Sequence, residues 1–147
     1  MKSLAIPEGL SDLVDRLGKL RPDTQRRWGT LTPGEMLCHL TDVSASVLSQ
    51  RNSGRDRSRP ILKSFFLYLP LPWPRSVKTP VRLDPHAEGT RPVDFEEDRR
   101  RAVEGLRALA SAQSFPAVHF VFGRMKTREW HRWAYRHTDH HLKQFGL

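Results

Sequence analysis

The sequence has a single cysteine, Cys38, among 147 residues, so no disulfide can form within the chain and a reducing compartment is expected. It also lacks a long apolar stretch. The longest run, Phe65 to Leu71, falls well short of the roughly 20 residues that a membrane-spanning helix needs. The opening MKSLAIPEGLSDLVDRLGKL has no uninterrupted hydrophobic segment of the signal-peptide kind, and a cytoplasmic location is the expectation. Acidic residues are few: 16 against 25 lysines and arginines, a formal charge of +9. Arginines gather at 51–59, 99–101 and 124–136, but acids interleave most of the chain. No aromatic-plus-basic recognition motif accompanies them, so charge alone is a weak argument for nucleic acid. Hydrophobic residues at 37% and charged residues at 28% suit one globular domain over 1–147, with a core large enough to fold without staples.

Four segments carry helical periodicity. Leu10, Leu13, Val14 and Leu17 recur at helical spacing and must stop before Pro22. Thr32, Pro33 and Glu35 spell an N-cap, an N1 proline and a capping-box glutamate, after which Met36, Leu40, Val43 and Val47 make one stripe. Asp94 with Glu97 opens a third helix through Ala102, Val103, Leu106, Leu109 and Ala110. A fourth begins near Thr127, with Trp130, Trp133 and Ala134 on its apolar face. The fold class expected is all-α, a four-helix bundle, since each stripe has to be buried against the others. The connection 54–93 between the second and third helices is long. Ile61 to Leu69 reads as a short helix, 70–80 as extended because of its prolines, and 116–123 as a strand-like approach to the last helix.

Histidine supplies the chemistry. His137 and His141 stand four residues apart, about 40° around a helix and about 6 Å along it, so their rings can converge. His137 follows Trp130 by two turns and His141 follows Ala134 by two turns, which places both on the inward face with Gln144 along the same wall. His39 lies in the buried stripe between Met36 and Val43. Three inward imidazoles need many buried partners, and one divalent ion would satisfy all of them. Three neutral nitrogens with a free fourth position describe a catalytic rather than a closed structural site. The competing reading is that Asp42, Asp139 or water satisfies these rings. His140, about 60° from His137, allows a neighbouring or channel role. His131 falls off the inward face, His86 sits in a loop, His119 is core or pocket wall, and Cys38 is a small buried hydrophobe.

The segments WGTLTPGEMLCHLTD (28–42), HTDHHLKQFG (137–146) and FGRMKTREW (122–130) resemble the DinB/YfiT-like superfamily of bacterial four-helix-bundle metalloproteins, from about residue 28 onward. The resemblance implies a crossed up-down-down-up bundle, often dimeric, with zinc or nickel held by His39, His137 and His141 and water completing the shell. It implies a thiol-dependent transferase chemistry using bacillithiol, mycothiol or glutathione on a small molecule. One departure is Phe120 after His119, where the resembling branch has proline. Beside a metal-dependent transferase or hydrolase stand two alternatives: a metal-stabilised bundle without catalysis, and a basic nucleic-acid-associated protein. Asp42, Asp139, His140 and Gln144 are the candidates for the surroundings of the ion, and Arg75, Lys78 and Arg82 for attracting an anionic ligand. Phe65, Phe66, Tyr68 and Trp73 are expected to roof the site.

Overall fold

The structure, a computed structural model, describes residues 2–49, 60–69, 71–75, 79–116 and 118–147. Five helices carry it: α1 (Pro7–Lys19), α2 (Pro33–Leu48), α3 (Pro60–Tyr68), α4 (Phe95–Ser111) and α5 (Thr127–Gln144). Among the described residues a 3-10 turn spans Val81–Leu83, and two short antiparallel strands, β1 (Val118–His119) and β2 (Gly123–Arg124), pair Val118 with Arg124 and His119 with Gly123. The chain is thus mostly helical as the periodicity implies. It differs from a plain four-helix arrangement by α3 and by the hairpin before α5. None of its described helices is long and apolar enough to cross a membrane.

Helix starts follow the side-chain chemistry. Thr32 Oγ1 accepts from Glu35 N–H at 3.3 Å, while Glu35 Oε2 accepts from Thr32 N–H at 2.8 Å, a complete capping box. Asp94 caps α4 by accepting from Glu97 N–H at 2.8 Å. The core is formed by Leu13, Leu17 and Leu20, the α2 stripe Met36–Leu40 with Val43 and Val47, Ala102, Leu106 and Leu109 of α4, and Trp130, Trp133, Ala134 and Leu142 of α5. α2 packs chiefly against α4, and α1 lies across α4 and α5.

Two polar networks orient the layers. Asp12 accepts from Tyr135 Oη–H at 2.7 Å and from Arg16 at 3.1 Å, and Arg16 continues to Asp139 at 2.8 Å, fastening α1 to α5. Arg132 and Arg136 on α5 donate to the carbonyls of Leu67, Leu69 and Leu71, which terminate α3 and lead into the connection. The Leu67 carbonyl lies in the last turn of α3, where no intrahelical donor reaches it, and those of Leu69 and Leu71 follow the helix. Trp73 Nε1–H then donates to Phe66 O at 2.9 Å, so the segment after α3 folds back over α5.

The hairpin is built around His119. Its Nδ1 accepts from the backbone N–H of Val121 at 3.1 Å and of Phe122 at 3.3 Å, and its ring stacks between Phe120 and Phe122. This histidine is core, held neutral by burial that pushes its pKa down to about 3. His131 departs from its sequence reading: it is buried, edge-on to Phe115, because α1 and the chain after α4 close over that side of α5.

Candidate metal centre

His39 from the middle of α2 meets His137 and His141 from the last two turns of α5. One ring nitrogen of each lies within 4.8 Å of the others. His39 Nε2 and His137 Nε2 are 3.3 Å apart. Two nitrogens at zinc-bonding distance from one tetrahedral ion stand about 3.3 Å apart, so this pair is already at ligand spacing. The ring centroids form a near-equilateral set: 5.3 Å for His39–His137, 4.7 Å for His39–His141 and 4.7 Å for His137–His141.

Neighbouring groups fix which nitrogen each ring offers. His39 Nδ1–H donates to the carbonyl of Leu83 at 2.7 Å, which leaves Nε2 as a lone pair facing its partners. His141 Nδ1–H donates to Gln144 Oε1 at 2.9 Å, with the same consequence. Metal-binding histidines are commonly oriented by such a contact on the other nitrogen. His137 is held differently, stacked on Trp133 at 5.0 Å and 19°. Burial drives the pKa of His39 down, and burial first, then the neighbouring imidazoles, pushes His137 and His141 well down. All three rings are therefore neutral at physiological pH, the state a metal requires. Three neutral imidazoles are a donor set that suits a borderline ion such as zinc or nickel better than calcium or magnesium.

Of the other candidates, Gln144 is in the shell through His141. Asp42 is not: both its oxygens are taken by Thr90, from N–H and Oγ1–H at 2.7 Å each. Asp139 is likewise drawn away, to Arg16 at 2.8 Å and Lys143 at 2.7 Å on the outer side of α5. Neither carboxylate orients an imidazole, because each points toward a partner remote in sequence or out along the helix surface. His140 stands beside the triad, edge-on to Trp28 at 4.7 Å and facing Trp73 at 5.9 Å, its pKa pushed down to about 4 by burial. Cys38 is buried outside the histidine cluster, and its thiol is pushed up to about 12, first by burial and then by the carboxylates of Asp98 and Asp42.

The expected roof is present only in part. Trp73 lies 6.5 Å from His137 and packs on Phe122, which Phe66 also touches. Phe65 is exposed and Tyr68 packs under Arg132, so neither faces the triad. Among the expected cations, Arg75 reaches the Trp28 ring, Arg82 is exposed on the 3-10 turn, and Lys78 lies outside the described residues, as do the arginines of 51–59. His137 is half-buried, whereas His39 and His141 are buried.

Sequence reasoning did not find Leu83, whose backbone carbonyl fixes His39; a carbonyl carries no sequence signal. It placed Gly29 in the WGTLTPGEMLCHLTD motif without a role; the residue has φ +83 and packs so closely that a Cβ there would stand 2.8 Å from Gln144 Nε2. The dipeptide Trp28–Gly29 was the available clue. Gly29 is therefore part of the support for His141. Gln144→Ala should fold normally yet weaken metal binding about 10- to 100-fold, as loss of an orienting partner does; a competition titration with a chromophoric chelator measures it.

Against known proteins, the chain matches over residues 1–146 the family model described as "Protein of unknown function (DUF1569)", and it belongs to that family. This corrects the resemblance to the DinB/YfiT-like superfamily: the match over the whole chain is to a distinct family. The misleading signal was local, a capped helix start and a pair of histidine segments that any site shared by two helices tends to produce. No curated protein and no solved structure matches the chain.

Proposed function

We propose that this protein binds one divalent metal ion, zinc or nickel, through Nε2 of His39, His137 and His141, and acts as a metal-dependent enzyme on a small molecule. The observation that carries the reading is the 3.3 Å approach of His39 Nε2 to His137 Nε2 while His39 Nδ1–H is committed to Leu83. Without an ion, His39 Nε2 needs His137 as its donor, and the His141 Nε2 lone pair is turned into the same space. With an ion, all three lone pairs are used at once.

An ion held by three imidazoles retains a position for a ligand, acts as a Lewis acid and lowers the pKa of a bound water or thiol. The chain's own contribution is to hold three neutral donors and to cover His137 with the rings of Trp73 and Trp133, Trp73 packing in turn on Phe122. Among the described residues no carboxylate oxygen joins the three ring nitrogens in one cluster, although Asp42 and Asp84 act on His39 electrostatically. His140, beside His141 and Trp28, is the neighbouring titratable side chain that could hold or move a proton there. The absence of a carboxylate from the cluster favours a second reading, an ion that only stabilises the fold.

Cobalt substitution separates the two. A d–d spectrum that changes on adding a low-molecular-weight thiol, or that titrates near neutral pH in its absence, supports an open catalytic position, the former pointing to thiol transfer and the latter to hydrolysis. A spectrum indifferent to both supports the stabilising ion.

A further inference from the structure

Next to the metal centre lies a cavity of about 320 Å³ lined by Arg27, Trp28, Arg75, Lys143, Gly146 and Leu147. Its position is set by α5. The helix ends in a Schellman turn, with Gly146 N–H donating to Lys143 O at 3.2 Å and Leu147 N–H to Leu142 O at 3.1 Å, and Gly146 at φ +79. The remaining carbonyl, Gln144 O, accepts from Arg27 N–H at 2.6 Å. The carbonyls of Leu142, Lys143 and Gln144 are thus already satisfied by backbone donors, without the Arg27 guanidinium. It lies flat against Gly146, so close that a Cβ there would stand 2.6 Å from its Nε.

Arg75 reaches the same cavity from the connection, 5.4 Å above the Trp28 ring. Among the described residues neither Arg27 nor Arg75 has an acidic partner, whereas Lys143 is paired with Asp139 at 2.7 Å. Both guanidiniums are exposed and line one cavity, where an oxyanion between them would use their planar donor forks. The cavity is also joined to the metal centre. Trp28 contacts His140, which adjoins His141 at 5.5 Å, and Gln144 holds Arg27 through its backbone and His141 through its side chain.

We infer that Arg27 and Arg75, with Trp28 as the wall, form a binding site for a carboxylate or phosphate group on the small-molecule ligand. The site's role as anchor for a substrate reaching the metal rests on the proposed function, while the binding of an oxyanion stands on the cavity itself. The test is calorimetric titration of the metal-loaded full chain with inorganic phosphate and with benzoate. Saturable binding of either is expected, phosphate alone indicating a phosphorylated ligand and benzoate alone a carboxylate. Arg27→Gln and Arg75→Gln should each weaken it tenfold or more with metal content unchanged, and Arg107→Gln, an exposed α4 residue, should leave it as in wild type. No saturable binding, or equal affinity in wild type and both variants, overturns the site. If the wild-type chain takes up no metal, the metal reading fails separately, and oxyanion binding that still depends on Arg27 and Arg75 supports the cavity.

Discussion

His39→Ala, His137→Ala and His141→Ala are each expected to lower metal affinity by at least a thousandfold while the helical fold persists. Removing one of three ligands leaves two imidazoles and open water, and the orientation provided by Leu83 or Gln144 is then spent on an incomplete set. His39 and His141 are buried, so their alanine variants also leave small voids and cost some stability. His137 is half-buried and is the cleanest of the three. The control is His86→Ala: His86 pairs with Glu35 at 3.1 Å on the surface and should leave affinity unchanged. His131 is a poor control, since its burial means alanine there perturbs packing. Chelator competition for affinity and far-ultraviolet circular dichroism for fold, measured together, check the prediction. Equal affinity in His137→Ala and wild type would remove His137 from the site.

The second large effect is acid sensitivity of the metal-free protein. Burial lowers the pKa of His39, His131, His137 and His141, and takes His119 to about 3 and His140 to about 4. The unfolded chain protonates these histidines near pH 6.5, whereas the folded chain does not. A depressed folded pKa means the unfolded state binds more protons, so this stability is complete above about pH 6.5 and is lost as pH falls from there toward the folded values. Each such group removes up to about 1.4 kcal/mol per pH unit, and the fully buried His39, His119 and His141 alone reach about 4 kcal/mol over one unit. That is a large part of the stability of an ordinary domain. Urea midpoints of the metal-free chain should hold level from pH 8 to 7 and fall steeply between pH 6.5 and 4.5. A flat profile to pH 5 would show that the histidines are not buried neutral. Saturating zinc should move the fall to lower pH, because protons must then displace the ion as well.

How much of this is legible in the sequence depends on the range of each interaction. The α2 start is legible because its determinants, Thr32, Pro33 and Glu35, are contiguous. The convergence of His137 and His141 is legible because an α-helix fixes the relative direction of residues four apart. His39 is legible as inward, but its meeting with α5 is a tertiary fact that only packing of α2 could supply. Most of the failures are long-range. Asp42 bonds Thr90 and Asp139 bonds Arg16, partners that no local pattern connects to them, although the pairing of Asp139 with Lys143 four residues on is a local one. Arg27 is fixed by the end of α5, and Leu83 enters through its backbone. The family assignment differs for a related reason: the motifs around the three histidines are short and local, while the chain as a whole belongs to the DUF1569 family.

The central claim is that three histidines from two helices make one metal site. Its most direct test is titration of the chelator-treated wild-type chain with zinc and with nickel, followed by calorimetry and by thermal unfolding. The account predicts a single saturable site with one ion per chain, a stoichiometry that drops to zero in His137→Ala, and a marked rise in the unfolding midpoint on loading. Absence of saturable uptake of either ion, with an unfolding midpoint indifferent to both, would contradict it.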